Sequence, residues 1–223
     1  MAEWVKFSVV NDVATLAMDD GKANAYGPEM IAALSAGLDR AAAEARAVVI
    51  RGRPGVFCAG FDLKIIRGDD EATRDAMRKA GRALLEKAYL HPQPLLVACT
   101  GHALAAGALL LLTGDYRIGT AGDFKIGLNE TQIGLALPAF GLELARDRLH
   151  PTHLTTATAL ATLYGPEEAL EAGYLDAVSA PDALAADAQT KAEQLVALDG
   201  EAVATTKLRL RASTIERIAA ADT

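Results

Sequence analysis

Hydrophobic positions along this chain follow two spacings, and the spacing changes near residue 138. Before Pro138, short apolar runs between turn residues alternate with longer stretches whose apolar residues recur every three or four positions. Such runs are typical of buried strands and amphipathic helices, respectively. After Pro138 nearly the whole chain has the helical spacing. The pattern therefore predicts a layered α/β core followed by a helical C-terminal part.

The first two predicted strands, 4–10 and 13–18, are separated by Asn11 and Asp12 and should form a hairpin. Gly27 and Pro28 mark the start of the first helix. Further strands are expected at 47–51, 95–100 and 115–118, and helices at 28–44, 61–66, 71–90, 105–112, 142–149, 152–163, 167–172, 183–198 and 202–220.

A stretch from residue 95 to 113 contains no formal charge when His102 is counted as neutral. Its length approaches the roughly 20 residues that a membrane-spanning helix requires. However, Pro92 and Pro94 precede it, and Gly101 and His102 interrupt it with turn-forming chemistry. A buried strand, a turn and a buried helix therefore fit better, and we expect no membrane partner.

Composition narrows the remaining classes of function. Hydrophobic residues make up 51% of the 223 residues, and the net charge is −7. No run of lysines or arginines suggests a nucleic-acid partner. The two cysteines, Cys58 and Cys99, form no C-x-x-C pair, so no metal site is expected. The start of the chain lacks the features of a signal peptide, and we expect a cytoplasmic protein.

Three segments could carry chemistry, and the first is 56–63, Val-Phe-Cys-Ala-Gly-Phe-Asp-Leu. It follows a predicted strand and enters a helix, and Gly60 permits a sharp bend there. The free N–H groups of such a turn, together with the helix dipole, can hold an oxyanion. An ordinary strand–helix connection explains this segment equally well.

The other two segments are 101–109 and 124–134. Small residues crowd the first of them, which allows either a ligand or a neighbouring helix to approach the backbone. In the second, Glu130 lies in a mostly uncharged stretch between glycines. Apolar surroundings would raise the pKa of its carboxyl and suit it to proton transfer. The alternative is an exposed glutamate at the start of a helix.

Together the three segments resemble the crotonase (enoyl-CoA hydratase/isomerase) superfamily, from the N-terminal hairpin to about residue 180. Phe-Cys-Ala-Gly-Phe-Asp-Leu is a signature of that family. Gly-Leu-Asn-Glu-Thr-Gln-Ile-Gly and Thr-Gly-Asp-Tyr-Arg-Ile resemble its Δ3,Δ2-enoyl-CoA isomerase branch. The resemblance implies a crotonase-type ββα spiral core over 1–180. It also implies a shortened helical segment, 181–223, that packs on the core or on a neighbouring subunit.

By the same resemblance, the N–H groups of Phe61 and Ala106 would hold the thioester oxygen, and Glu130 would move the proton. The family often has glycine at the position of Ala106. Hydratases carry another glutamate where this chain has Leu109. Double-bond migration requires one base, whereas hydration commonly uses a second acid/base group. The expected activity is therefore enoyl-CoA isomerisation, with hydration or non-catalytic acyl-CoA binding as alternatives.

The resemblance implies a coenzyme A thioester as substrate, folded over the oxyanion turn with its adenine near residues 59 and 60, and no tightly bound cofactor. Lysines near this turn are candidate phosphate partners, with plain surface lysines as the alternative. A homotrimer or hexamer is also implied. The expected coenzyme A-binding residues are Lys22, Ala23, Ala59, Gly60, Asp62 and Lys64, with Arg67 as a further candidate.

Other polar residues are weaker candidates. Asp62 is expected to cap or orient the oxyanion turn. Glu143 could act as a second acid. His102 is expected to be a hydrogen-bonded turn residue, and Cys58 has no neighbouring base that would make its thiol a nucleophile.

Overall fold

The structure, a computed structural model, describes residues 4–221. Residues 1–3, which entered the signal-peptide argument, lie outside the described residues, as do the last two positions of the expected C-terminal segment, 222 and 223. The predicted hairpin is confirmed as β1 (Val5–Val10) and β2 (Val13–Met18), which pair antiparallel. Asn11 and Asp12 both adopt positive φ, 52° and 62°, as a tight two-residue hairpin turn requires.

The main sheet has the strand order β1-β2-β3-β5-β7-β9, and every pair after the hairpin is parallel. Its central strands are almost entirely buried, which is why they are continuous apolar runs rather than alternating ones. The strands after the hairpin are β3 (Ala47–Arg51), β4 (Gly55–Cys58), β5 (Leu95–Cys99), β6 (Gly101–Leu104), β7 (Tyr116–Thr120), β8 (Ile126–Gly127) and β9 (Ala177–Ser179).

Helices cover both faces of the main sheet. The first helix presents Met30, Leu34 and Leu38 to the core, all fully buried, as its spacing predicts. None of the helices within residues 4–221 is both long enough and apolar enough to cross a bilayer. The helices are α1 (Pro28–Glu44), α2 (Leu63–Ile66), α3 (Glu71–Tyr89), α4 (Ala106–Thr113), α5 (Ala139–Arg148), α6 (Leu154–Ala157), α7 (Pro166–Ala172), α8 (Leu184–Val196) and α9 (Gly200–Ala221).

A second, smaller sheet has the order β4-β6-β8, and its strands are also parallel. The sequence patterns predicted turns where β4 and β6 lie, and that prediction was wrong. Both strands have four residues and begin with glycine, so they show neither an alternating pattern nor a long apolar run. Their pairing with each other, which the sequence does not reveal, is what makes them strands.

The expectation that nearly the whole chain after Pro138 is helical needs a correction, because β9 lies within that part of the chain. The short β8, before Pro138, was not predicted either. The helix predicted at 152–163 is reduced to a 3-10 turn, Pro151–His153, and the short α6. The hydroxyls of Thr156 and Thr158 donate to the carbonyls of His153 and Leu154. Such back-bonding competes with the helix ladder and weakens the helix.

The last helix packs on the core of its own chain through a polar face. Lys207 Nζ lies 2.5 Å and Arg211 Nη2 lies 2.8 Å from the carboxylate of Asp115. Arg211 also stacks over the ring of Tyr89, 4.1 Å from its centre. α9 therefore contacts the core of its own chain. The expected packing of the whole segment 181–223, on the core or on a neighbouring subunit, stays a prediction. The division of the chain at residue 180 stays a prediction.

Candidate active site

The small sheet gathers the three candidate catalytic positions at one edge. Phe61 follows the end of β4, Ala106 follows β6, and Glu130 follows β8. Because these neighbouring strands are parallel, their carboxyl ends lie at the same edge. Open α/β sheets typically bind ligands at that edge. The strand order places β6, which leads into Ala106, between the two strands that lead to the other groups.

The first amide belongs to a bend at Gly60, where φ is +89°. Gly60 O accepts the N–H of Tyr26 at 2.8 Å, and Asp62 N donates to Tyr26 O at 3.2 Å. Successive N–H groups of extended chain point to opposite sides, so the N–H of Phe61 points away from Tyr26. It finds no acceptor among residues 4–221. An unpaired amide is therefore held at the bend.

The Phe61 side chain anchors that amide in place. Its ring packs over Gly81 of α3, where an added β-carbon would lie 2.4 Å from Phe61 Cε1. The ring also meets Tyr26 edge-on, with centroids 6.1 Å apart. The next residue, Asp62, caps α2 by accepting the backbone N–H of Lys64 at 2.8 Å, so its predicted capping role is confirmed.

The second amide, that of Ala106, opens α4, and the first N–H groups of a helix have no intrahelical partner. Within the part of the chain that the structure describes, no acceptor receives it. Ala105 before it has φ +49° and ψ −122°, a conformation that typically costs an alanine about 1–3 kcal/mol. The N–H of Ala105 donates to Gly127 O at 3.0 Å, which ties this strained turn to β8.

Two glycines let the two amide-bearing turns touch. A β-carbon at Gly60 would lie 3.0 Å from Leu104 O and 3.4 Å from Ala106 N. A β-carbon at Gly107 would lie 2.1 Å from Cys58 O, well inside contact distance. The small residues at the start of α4 therefore serve close packing, and that packing brings the second turn against the first.

Glu130 is buried, with 8% of its surface exposed, so the alternative of an exposed helix-start glutamate is wrong. Its backbone carbonyl accepts the N–H of Leu135 at 3.0 Å in a tight turn that ends at Gly134, φ +76°. The Oε2 atom has no hydrogen-bond partner among the described residues. Burial raises the pKa of the Glu130 carboxyl, as the sequence led us to expect.

Tyr174, a fully buried neighbour of this site, was missed from the sequence. Its burial, and to a smaller extent the nearby charge of Glu130, raise the pKa of its hydroxyl. The Tyr174 ring lies 5.7 Å from that of Tyr164. Nothing in the local sequence around Tyr174 connects it with Glu130, because the two are 44 positions apart and only the fold brings Tyr174 near that charge.

Leu109, at the position where hydratases have a glutamate, is 3% exposed and lies in an apolar wall. A β-carbon at Gly141 of α5 would lie 3.2 Å from Leu109 Cδ1 and 3.0 Å from Leu137 Cδ1. The candidate second acid, Glu143, instead accepts a 2.6 Å hydrogen bond from Arg217 Nε. Its place in an ion pair indicates a structural role rather than the expected acid role.

The residues expected to bind coenzyme A lie along one pair of segments. Ala59 N donates to Ala23 O at 3.1 Å, which joins the loop after β2 to the bend after β4. Lys22, Lys64 and Arg67 are exposed, and their side chains have no hydrogen-bond or ion-pair partner within residues 4–221. All six expected binding positions belong to these two joined segments: Lys22, Ala23, Ala59, Gly60, Asp62 and Lys64.

Asn24 and Asp20 shape this edge, and the sequence reasoning missed both. The fully buried Asn24 donates from Nδ2 to Met18 O at 3.2 Å and to Phe57 O at 3.1 Å. The Asp20 carboxylate accepts the N–H of Lys22 at 2.7 Å and of Asn24 at 2.9 Å. The cluster of aspartate, glycine and asparagine between 19 and 24 was the available signal, since these residues favour such turns.

The remaining polar candidates behave as the sequence indicated. Burial raises the pKa of the Cys58 thiol to about 12, so the thiol stays protonated and is a poor nucleophile. His102 Nδ1 accepts the backbone N–H of Lys125 at 3.0 Å, so His102 is hydrogen-bonded as expected, although it lies in β6 rather than in a turn.

With this geometry described, comparison with known proteins identifies relatives. The family model described as enoyl-CoA hydratase/isomerase matches residues 9–221. Human mitochondrial enoyl-CoA delta isomerase 1 is 33% identical over 167 residues, which are 74% of this chain and 55% of that protein. A probable enoyl-CoA hydratase of Bacillus subtilis is 32% identical over 181 residues, covering 77% of this chain and 67% of that protein. The chain spans a little over half the length of the human isomerase.

A crystal structure of an enoyl-CoA hydratase/isomerase family protein from Pseudomonas syringae superposes with a TM-score of 0.94 at 40% identity. The match covers 98% of this chain and 95% of that one. The expected crotonase-type α/β fold is thereby confirmed. The matching family model, the shared fold and these relatives together show that the chain belongs to the enoyl-CoA hydratase/isomerase family of the crotonase superfamily.

Proposed function

We propose that this protein is an enzyme acting on coenzyme A thioesters and that it isomerises 3-enoyl-CoA to 2-enoyl-CoA through a bound enolate. One observation supports this most: two backbone amides and a buried carboxylate, none of them paired with any residue in 4–221, all follow the carboxyl ends of neighbouring strands in one small sheet. Those are the groups that enolate chemistry needs.

In the proposed mechanism the thioester oxygen accepts hydrogen bonds from the N–H groups of Phe61 and Ala106. Each such donor can stabilise the developing negative charge by about 3 kcal/mol. Glu130 removes a proton from C2, and the electron pair moves into the carbonyl to give a conjugated enolate. Glu130 then returns the proton at C4, the double bond forms between C2 and C3, and the carboxylate is regenerated.

Isomerisation is favoured over hydration because, among the candidate acids within the described residues, only the carboxylate of Glu130 is free. Hydration also needs a water that is positioned and activated, commonly by a second acid/base group. Leu109 supplies no such group, and Glu143 is engaged with Arg217. The similarity to a probable Bacillus subtilis hydratase keeps hydration as the second candidate function.

For the cofactor part of the substrate, we propose that Lys22 and Lys64 pair with its phosphates, with Arg67 as a further partner. Their free, exposed side chains flank the bend at Gly60, and a lysine acts as a point charge for phosphate. The adenine would lie near Ala59. A homotrimer or hexamer, and a cytoplasmic location, stay predictions.

The decisive assay offers a 3-enoyl-CoA and a 2-enoyl-CoA separately to the purified protein. We expect rapid formation of 2-enoyl-CoA from the first and little hydration of the second. Glu130→Gln should lower the isomerisation rate by about 100-fold or more, as loss of a general base does. Glu167→Gln, on an exposed glutamate of α7, is the matched control and should leave it unchanged.

Each other result contradicts a defined part of the proposal. Efficient hydration that survives Glu130→Gln would mean that another group is the base and that the protein is a hydratase. Tight binding of both thioesters without turnover of either would mean that the fold serves binding alone.

A further inference from the structure

A cavity of about 340 Å³ lies between the main sheet and α8. Its volume falls within the roughly 300–1,000 Å³ range of small-molecule pockets. None of the residues assigned above to catalysis or to coenzyme A lines it. It is therefore a separate space, with no role in the proposed thioester chemistry.

The cavity opens at the carboxyl ends of parallel strands. Arg51 is the last residue of β3, Thr120 is the last of β7, and Thr100 directly follows β5. The adjacent β1 and β2 contribute Ser8 and Thr15, which face each other in register. This edge is where open α/β sheets commonly hold ligands, but here on the main sheet rather than the small one.

Arg51 is the one charged residue among those lining the cavity. Its guanidinium makes no hydrogen bond, ion pair or ring contact with any residue in 4–221, whereas the more deeply buried Arg117 and Arg211 are paired with Asp176 and Asp115. Five N–H donors are therefore available beside the cavity, and a carboxylate fits that planar fork with two parallel bonds.

The lining also offers free hydroxyls and an aliphatic surface. The hydroxyls of Ser8 and Thr15 have no hydrogen-bond partner within the described part of the chain and can donate to an anion. Val49, Leu184 and Ala188 give an aliphatic surface. A cation and hydroxyls beside an aliphatic surface match a ligand with one charged end and a hydrocarbon body.

We propose that this cavity binds a small organic carboxylate. Its carboxylate pairs with the Arg51 guanidinium, and its hydrocarbon part lies against Val49, Leu184 and Ala188. This site is independent of the thioester site, and its occupancy does not require coenzyme A.

Calorimetric titration of the 223-residue chain with hexanoate tests the proposal, with hexanamide as the uncharged probe of the same size. We expect hexanoate to bind the unaltered protein and Arg209→Gln equally, since Arg209 is an exposed arginine of α9. Arg51→Gln should weaken hexanoate binding at least about tenfold, the usual loss with one charged hydrogen-bond partner. Hexanamide should bind weakly to all three proteins.

Inorganic phosphate is the third probe, because an anion site without an apolar part would bind it as well as hexanoate. Equal binding of phosphate and hexanoate would overturn the assignment to an organic carboxylate. Unchanged hexanoate binding in Arg51→Gln, or no hexanoate binding up to solubility, would overturn the site itself. If Arg51→Gln proves unstable, Arg51→Lys takes its place. Lysine keeps the charge but not the planar fork, so this variant should retain only part of the affinity for hexanoate.

Methyl-labelled alanine distinguishes this cavity from the thioester site by NMR. Hexanoate should shift the methyl signal of Ala188 in the unaltered protein and not in Arg51→Gln. A shift confined to Ala106 would place hexanoate in the thioester site and overturn the proposal. The rate of 3-enoyl-CoA turnover should be the same in both proteins. The experiment therefore distinguishes a wrong assignment of the carboxylate site from a wrong assignment of the enzyme activity.

Discussion

The Nε atom of Arg217 donates a 2.6 Å hydrogen bond to Oε2 of Glu143, and this contact ties α9 to α5. The same α5 carries Gly141 against Leu109, in the apolar wall beside the second amide. The C-terminal helix therefore supports the wall from behind. Its contribution is to position that wall, since α9 supplies none of the proposed catalytic groups.

Glu143→Gln should lower the free energy of unfolding by about 1 kcal/mol, because Arg217 is half-exposed and water screens the pair. Urea unfolding measures this, and Glu216→Gln on the exposed side of α9 is the control. In a double-mutant cycle with Arg217→Gln, the double variant should lose less unfolding free energy than the sum of the two single losses. A loss equal to that sum would show that the ion pair contributes nothing.

Asp115→Ala should have a larger effect, about 3–5 kcal/mol. It leaves the buried cations of Lys207 and Arg211 without their shared carboxylate, and an unpaired buried charge is costly. The same urea experiment applies, with Asp123→Ala as an exposed control. A loss no larger than that of the control would mean that water reaches both cations.

The raised pKa of Glu130 links stability to pH. The folded protein holds this proton to a higher pH than the unfolded chain does. The contribution of Glu130 to the free energy of unfolding is therefore fully present at a pH below the ordinary glutamate pKa. It is lost as the pH rises through the raised pKa of the folded protein. Unfolding free energies measured across that interval should fall more steeply for the unaltered protein than for Glu130→Gln. Parallel curves would contradict the burial of an ionisable Glu130.

The rate of isomerisation should rise with pH through the same raised pKa, because the carboxylate is the base. A pH profile of kcat/KM on a 3-enoyl-CoA measures the midpoint in the free enzyme. A midpoint at or below the ordinary glutamate pKa would contradict this reading.

Ala106→Gly and Gly107→Ala form a matched pair one residue apart. Ala106→Gly keeps the amide and should leave the isomerisation rate within a few-fold. Gly107→Ala forces a methyl to within 2.1 Å of Cys58 O, so β4 and α4 must separate, with a loss of about 1–3 kcal/mol and of most activity. Thermal melting and the isomerase assay compare them. Equal activity would show that the two turns need not touch.

Lys22→Gln and Lys64→Gln should raise KM for an enoyl-CoA without changing kcat, because they remove phosphate partners far from the reacting carbons. The matched substrate is the pantetheine thioester, which lacks the nucleotide phosphates. Its KM should not respond to either substitution. An equal response of both substrates would exclude phosphate pairing.

The sequence predicted five of the six strands of the main sheet and the long helices, because a helix such as α1 and a strand such as β3 each carry their own pattern. The three-residue β9 is too short to carry one. The small sheet was not predicted, because β4 and β6 stabilise each other although they lie far apart in the sequence. For the site, Phe61, Ala106 and Glu130 were predicted by resemblance to the family.

Residues that act through tertiary contacts were not predictable in the same way. Asn24 shapes the edge of the site by donating a hydrogen bond to the carbonyl of Phe57, and Tyr174 is buried where the charge of Glu130 raises the pKa of its hydroxyl. Neither residue belongs to a motif that names its partner. In the sequence, Arg51 is simply the residue at the end of a predicted strand. The cavity beside it forms only because α8 packs over the sheet, which the sequence does not show.

Two of the three groups in the proposed thioester site are peptide N–H groups, which every residue except proline carries. The proposed chemistry at positions 61 and 106 thus depends on the backbone conformation. The side chains at these positions matter only because they help to hold that conformation. Sequence variation at position 106 can therefore be wide in working relatives, while position 61 also needs a side chain that packs against Gly81. Gly60 and Gly107, whose own N–H groups are not proposed to bind the substrate, are the positions where variation should be narrow.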